Sequence, residues 1–240
     1  MTRIITAMVF AAGFGQRMQP LSLTTPKPLL PLLGRPLLQH VVDHLRAVGV
    51  QRVIINSHYL AEQIADFCRL PQPPMQIIHS HEKQILETGG GLVQAKNHLG
   101  HDPIFVINGD CYWRNGAGDS LAGLAGLWDG GSMDSLLLLQ PQERAIGYDG
   151  VGDFCLMESQ NLGRVSRRGQ QATAPLVYSG IQILNPMILR NYPREKFSLN
   201  RIWDDSLAQN RLFGTVHGGD WYHLSTPADL AVTESLLQNL

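Results

Sequence analysis

Apolar positions in this chain come in two rhythms. Short continuous runs stand at 7–10, 53–56, 75–79, 104–108 and 135–140, and stretches of helical periodicity lie between the first of them. That alternation predicts β-α-β units, hence an α/β fold with a mixed, mostly parallel sheet flanked by helices. The clearest helix follows Pro36: Leu37, Leu38, Val41, Val42, Leu45 and Val48 share one face, Pro36 suits the first turn and Gly49 the end. Further helices are expected over 60–67, over 91–98 directly after three glycines, over 199–209 and over 228–240. Beyond about residue 140 the runs shorten, with strands expected near 155–157 and 176–184 among turns. No Ser-, Pro- or charge-rich linker, repeat or low-complexity tract divides the chain, so one domain over 1–240 is expected. Its two lobes, about 1–140 and about 141–240, should share a continuous core.

Composition narrows the partners. A chain of 240 residues can bury a core without disulfides or structural metals. Nineteen basic and twenty acidic side chains leave a formal charge of -1, so no global field draws the protein to nucleic acid or an anionic membrane. Any anion must be held locally. Cys68, Cys111 and Cys155 are odd in number and widely spaced, which fits neither a disulfide framework nor a zinc site and points to a reducing cytoplasm. Arg3 and the apolar residues 4–12 imitate a secretory signal, but cleavage after Ala12 would discard the strand leading into the glycines that follow. The run is therefore read as a buried first strand, and no longer apolar stretch suits a bilayer.

Phosphate chemistry is suggested where that strand ends. Ala11, Ala12, Gly13, Phe14, Gly15, Gln16 and Arg17 bring two glycines and a guanidinium to the edge where an open α/β sheet takes its ligands. Glycine backbone approaches phosphate oxygens closely and Arg17 adds a planar fork of donors. An ordinary strand-end turn is the plain alternative. Pro26 and Pro28 then stiffen the chain around Lys27, which fixes the ammonium's direction as a transition-state donor would require and a solvated lysine would not. A P-loop would need Gly-Lys-Ser/Thr, and a dinucleotide fold a third glycine and a later acid.

The string Ala-Ala-Gly-x-Gly-x-Arg-Met-x-Pro-Leu, closed by Pro-Lys-Pro-Leu, resembles the signature of the sugar-phosphate nucleotidyltransferase family. The resemblance runs from about Ala7 to Leu230. It implies a Rossmann-like nucleotide-binding lobe with a smaller sugar-phosphate-binding lobe, and Arg17 and Lys27 as the catalytic cations. It also implies a nucleotide site formed by Ala11, Ala12, Gly13, Gly15, Arg17, Thr88, Gly89, Gly90 and Asn108.

Glu87, Thr88, Gly89, Gly90 and Gly91 offer a side-chain-free wall for a flat base, or equally a turn with Thr88 as helix N-cap. The resemblance implies base and ribose contacts there, and Glu82 fits the same subgroup. The apolar strand 104–108 ends in Asn108, Gly109 and Asp110, placing a carboxylate beside the first loop. Magnesium, which takes one or two protein carboxylates and completes its shell with phosphate and water, suits Asp110; a simple turn would also use these residues. The family's second carboxylate lies in Asp-Val-Gly-Thr-Pro, and the matching residues here are His223, Leu224, Ser225, Thr226 and Pro227. Imidazole favours manganese or zinc over magnesium. His223 therefore ligates a softer ion, contacts phosphate, or leaves the role to nearby Asp220. His79 and His81 lack a further ligand at sensible spacing and read as structural.

In the second half, a glycine interrupts the strand at Ser179 and Gly180, marking either ligand approach or a bulge. The resemblance implies a sugar pocket with Gly147, Glu158, Ser179, Gly180 and Trp221. Gly152, Asp153 and Phe154 lie in neighbouring elements, and Arg164, Arg167 and Arg168 suit either a sugar phosphate or an exposed hairpin. The substrates implied are UTP with N-acetylmuramic acid 1-phosphate, in cell-wall recycling, and second GTP with mannose 1-phosphate. The metal is Mg2+ with Mn2+ as alternative, and the protein a cytoplasmic monomer or small homo-oligomer. A non-catalytic nucleotide-sugar sensor is the alternative class, since His223 replaces an acid.

Overall fold

The computed structural model describes residues 2–157 and 162–239. One nine-stranded sheet draws on both halves of the sequence. In chain order its strands are β1 (Thr6–Phe10), β2 (Arg52–Ser57), β3 (Gln76–His81), β4 (Ile104–Asn108) and β5 (Ser135–Pro141), then β6 (Phe154–Leu156), β7 (Leu162–Arg167), β8 (Leu176–Leu184) and β9 (Leu212–Val216). Across the sheet they stand β6-β7-β9-β5-β8-β4-β1-β2-β3. Strands β1 to β4 are mutually parallel, and β8 inserts antiparallel between β4 and β5. The fold is the mixed, mostly parallel α/β sheet that the apolar runs predict.

Helices α1 (Leu37–Ala47), α2 (Ala61–Arg69), α3 (Glu87–Leu99), α4 (Ser120–Leu127), α5 (Leu199–Ala208) and α6 (Pro227–Gln238) complete the fold. One apolar layer sets α1, α2 and α4 with Trp113, Trp128 and Trp221 against the sheet, and a second gathers α3 and α5 with Phe154, Phe197 and Trp203. Burial of such side chains at ~25 cal/mol per Å² is the dominant stabilising term.

Two helices differ from expectation. Helix α3 starts at Glu87 rather than 91, so the three glycines lie inside it. A Cβ on Gly89 would run into the Phe197 ring and one on Gly90 into the Glu195 carbonyl, so the glycines let α3 lie close on that segment. Helix α4 was not anticipated: its residues are small and apolar without a polar face, and the start signal is Asp119, whose carboxylate accepts from the Leu121 and Ala122 amides.

Strand β1 lies between β4 and β2, with Val9 opposite Ile107 on one side and Ile55 on the other. The chain leaves β1 for β2 and later returns on the opposite flank as β4. Such a reversal opens a crevice at the C-terminal strand ends. A three-stranded sheet of Tyr112–Arg114, Asp220–Tyr222 and Ala145–Ile146 ties the segment after β4 to residues just before His223.

His217, just beyond β9, is 1% exposed and bonded on both ring nitrogens, to Gln140 Oε1 and Ser120 Oγ at 2.9 Å each. Burial first, then Arg144, lowers its pKa from 6.5 to about 4. The neutral ring therefore stabilises the fold fully above pH 6.5, and that contribution is lost as pH falls toward 4. We expect urea unfolding of the native chain to show His217 costing on the order of 2 kcal/mol at pH 5 relative to pH 8. His217→Asn should lose less stability over that interval by about the same amount; equal pH dependence in both proteins would remove His217 as the cause.

Candidate active site

The loop after β1 is held open by two contacts that need glycine. Gly15 has φ +61, and a Cβ there would stand 3.1 Å from Lys27 Cβ. Its carbonyl accepts from Ser22 Oγ at 2.8 Å and from the Met18 amide at 2.8 Å. Met18 is fully buried, which anchors the turn carrying Arg17. Gly13 faces open space. At the end of β4, the Gly109 amide donates to Phe10 O at 2.8 Å, and a Cβ on Gly109 would stand 2.8 Å from that oxygen. Glycine there lets Asp110 sit directly beside the first loop.

Lys27 Nζ lies 2.6 Å from Asp110 Oδ2, with side chains only 16% and 31% exposed. Shielding of this order strengthens the attraction between the two charges over that of a surface pair, while their partial desolvation opposes it. Two adjoining cavities meet at it. The first, about 760 Å³, is lined by Ala11, Ala12, Gly13, Gly15 and Thr88 among others; the second, about 260 Å³, by Ser179, Gly180, Trp221 and His223 among others. Arg17, Lys27, Asn108, Asp110 and Ser225 line both. The structure thus brings Lys27 and Asp110 to one place.

Gly89 and Gly90 do not line either cavity, and their amides donate to Phe197 O at 3.0 and 3.1 Å. The expected flat wall for a base is instead a packing surface, corrected by the Phe197 ring that occupies it. Thr88 and Glu87 do reach the first cavity, although Thr88 Oγ1 also accepts from the Leu199 amide at 2.9 Å. Gly147, at φ +75, lines neither cavity; a Cβ there would come within 3.3 Å of His223 O. Ser179 points its hydroxyl away, to Leu138 O at 2.7 Å, while its carbonyl accepts from Trp221 Nε1 at 2.8 Å and Cys111 Sγ at 3.1 Å. It shapes the wall of the second cavity. Glu158 lies outside the described residues.

Asp220 stands 4.0 Å from Arg114 and lines neither cavity, so the structure does not bring it to Asp110. His223 does line the second cavity. Its pKa is lowered, chiefly by burial and then by Lys27, so the ring is neutral near pH 7. Tyr148, Trp221 and His223 pack ring against ring along that cavity, with centroids 5.4 to 6.2 Å apart. Arg167 bonds Asp204 and lies over the Phe154 and Trp203 rings, so its guanidinium serves the outer packing.

Asn56 is a site residue that the sequence reading missed. Its Oδ1 accepts from the Ala11 amide at 2.8 Å and its Nδ2 donates to Glu82 Oε1 at 2.7 Å, while Glu82 Oε2 accepts from the Leu86 amide at 2.9 Å. The relay fixes the start of the glycine loop, and burial raises the Glu82 pKa. The available signal was a polar residue closing the apolar run of β2, as Asn108 closes that of β4. Ser225 was also missed: among the described residues its buried hydroxyl has no partner where the cavities meet.

Residues 7–124 match the MobA-like NTP transferase domain. Over 96% of both chains the protein is 35% identical to the N-acetylmuramate alpha-1-phosphate uridylyltransferase of Caulobacter vibrioides. It is 30% identical to the enzyme of the same name from Neisseria meningitidis serogroup B, covering 96% of this chain and 97% of the relative. The crystal structure of UDP-glucose pyrophosphorylase complexed with UDP-glucose superposes with a TM-score of 0.80 over 98% of this chain and 99% of that one, at 17% identity, which extends the likeness of fold. Two cavities meeting at a lysine–aspartate pair, together with near-complete coverage at this level of identity, establish that the chain belongs to the sugar-1-phosphate nucleotidyltransferases.

Proposed function

We propose that this chain transfers the uridylyl group of UTP to N-acetylmuramic acid 1-phosphate, giving UDP-N-acetylmuramic acid and pyrophosphate in cell-wall recycling. The observation that carries the reading is the 2.6 Å Lys27–Asp110 pair at the joint of the two cavities. Similarity along the whole chain to two uridylyltransferases named for that acceptor supports the choice of base and sugar. The larger cavity takes the nucleotide and the smaller one the sugar phosphate, with lobes 1–140 and 141–240 acting as one domain. A cytoplasmic monomer or small homo-oligomer agrees with three free thiols, and among the described residues no helix is long and apolar enough to cross a membrane.

In the reaction an oxygen of the sugar phosphate attacks the α-phosphorus. A new P–O bond forms as the bond to the β-bridging oxygen breaks, and its electron pair leaves with pyrophosphate. The nucleophile is already anionic, so no side-chain base is required. Arg17 and Lys27 neutralise charge around the α-phosphate, and the amides of the Gly13–Gly15 turn surround phosphate oxygens. A divalent ion fits this donor set: Asp110 would hold it with one carboxylate, as an ion that also binds substrate phosphates commonly requires. Such an ion supplies charge neutralisation at the phosphates. The neutral imidazole of His223 suits Mn2+ better than Mg2+ as a second ligand.

Three measurements test this. Pyrophosphate release from four nucleoside triphosphates against a panel of sugar 1-phosphates should be fastest for UTP with N-acetylmuramic acid 1-phosphate; a fastest pair of GTP and mannose 1-phosphate would replace the substrate assignment. Lys27→Ala should lower kcat on the order of 100-fold, as loss of a transition-state donor does. Near-native turnover would take Lys27 out of the mechanism. His223→Asp should raise the ratio of Mg2+- to Mn2+-supported turnover, and an unchanged ratio would take His223 out of the metal shell.

A further inference from the structure

The smaller cavity contains an acid that the transfer reaction does not use. It extends from Lys27 and Asp110, shared with the larger cavity, to Tyr148 and Asp153, which line the smaller one alone. Asp153 is held from several sides. Its amide donates to Leu176 O at 2.8 Å, its carbonyl accepts from the Arg168 amide at 3.1 Å, and its Oδ2 accepts from the Tyr178 amide at 2.9 Å. Gly152 precedes it at φ +77, where a Cβ would run into the Ala174 carbonyl, so the approach to Asp153 admits only glycine. The Gly152 amide donates to Tyr148 Oη at 3.1 Å, which locks the neighbouring wall as well.

This bonding leaves Oδ1 of a fixed carboxylate without a hydrogen-bond partner among the described residues, in a cavity of sugar size. Among those residues no lysine or arginine pairs with Asp153, whereas Asp110 at the other end pairs with Lys27. An anionic acceptor of this kind repels the phosphate and attracts a neutral donor. Charge-assisted bonds from hydroxyl or amide donors to a carboxylate are about twice as strong as neutral ones.

We propose that Asp153 is a specificity-determining residue, accepting a hydrogen bond from a ring hydroxyl or acetamido N–H of the sugar while its other oxygen stays on the Tyr178 amide. The inference rests on the smaller cavity being the sugar site, not on which sugar or base is used. An aspartate carrying both bonds discriminates against sugars lacking that donor, because the orphaned carboxylate would be left without its partner.

Asp153→Asn provides the test, since an asparagine carbonyl keeps the bond to the Tyr178 amide while its NH2 turns the sugar-facing acceptor into a donor. For the best sugar 1-phosphate in the panel, KM for the sugar should rise roughly 10- to 100-fold, matching loss of a bond to a charged group, while KM for the nucleotide and the melting temperature hold. Calorimetry with UDP, UDP-glucose, UDP-N-acetylglucosamine and UDP-N-acetylmuramic acid needs no turnover, and the variant should lose affinity for the nucleotide-sugars but not for UDP. Single-deoxy and de-acetamido sugar phosphates separate the two donors: the analogue missing the right one should bind poorly to the native chain and no worse to the variant. Unchanged sugar KM and unchanged nucleotide-sugar affinity in Asp153→Asn would overturn the proposal. Failure of every pyrophosphate assay with intact, Asp153-dependent nucleotide-sugar binding would overturn the substrate reading instead.

Discussion

The site depends on how closely separate stretches of backbone can approach one another. Gly15, at φ +61, sits tightly against Lys27, while a side chain at Gly109 would collide with the Phe10 carbonyl and one at Gly180 with Cys111 and Asn108. Interiors pack at crystal-like density, so such contacts transmit position accurately. The parallel strands β1, β2 and β4 deliver the loop, Asn56 and Asp110 to one edge. The absence of Cβ atoms then lets those elements close to the spacing of an ion pair.

Electrostatics follow from that closure. A chain of formal charge -1 has no long-range attraction for polyphosphate, yet Arg17 and Lys27 line both cavities. Asp110 offsets part of their charge and is, among the described residues, the one acid common to the two cavities. His223, where an acid is usual, is kept neutral by burial and by Lys27. The local field is therefore more positive than two carboxylates would allow, which suits a site that must gather the anionic groups of two substrates.

Much of this was readable from the sequence because the chemistry is written in backbone-permissive residues and strand ends. The apolar runs located β1 to β5, the glycine loop and Asp110 followed from their position at strand termini, and Lys27 from the two prolines that flank it. Other parts were opaque for physical reasons. A glycine signals either ligand access or tight packing, and only the Phe197 ring reveals that Gly89 and Gly90 serve packing. Ser179 looked available, but its hydroxyl and carbonyl are both committed within the wall. Asn56 acts through a bond to Ala11 across 45 residues of chain, which local pattern cannot register. Helix α4 lacks any amphipathic rhythm, and the short strands beside His223 are too brief to carry one.

The irregularity in β8 between Tyr178 and Gln182 has a reach beyond its own strand. Gly180 there, at φ +84, abuts Asn108, two positions before Asp110. Any side chain introduced at 180 to reshape the second cavity would press on the residue that leads to the Lys27–Asp110 pair. The opposite wall is no freer, because the Tyr148 ring packs on His223 and its hydroxyl holds the Gly152 amide, so a change on either side of this cavity is felt at the groups beside Asp110.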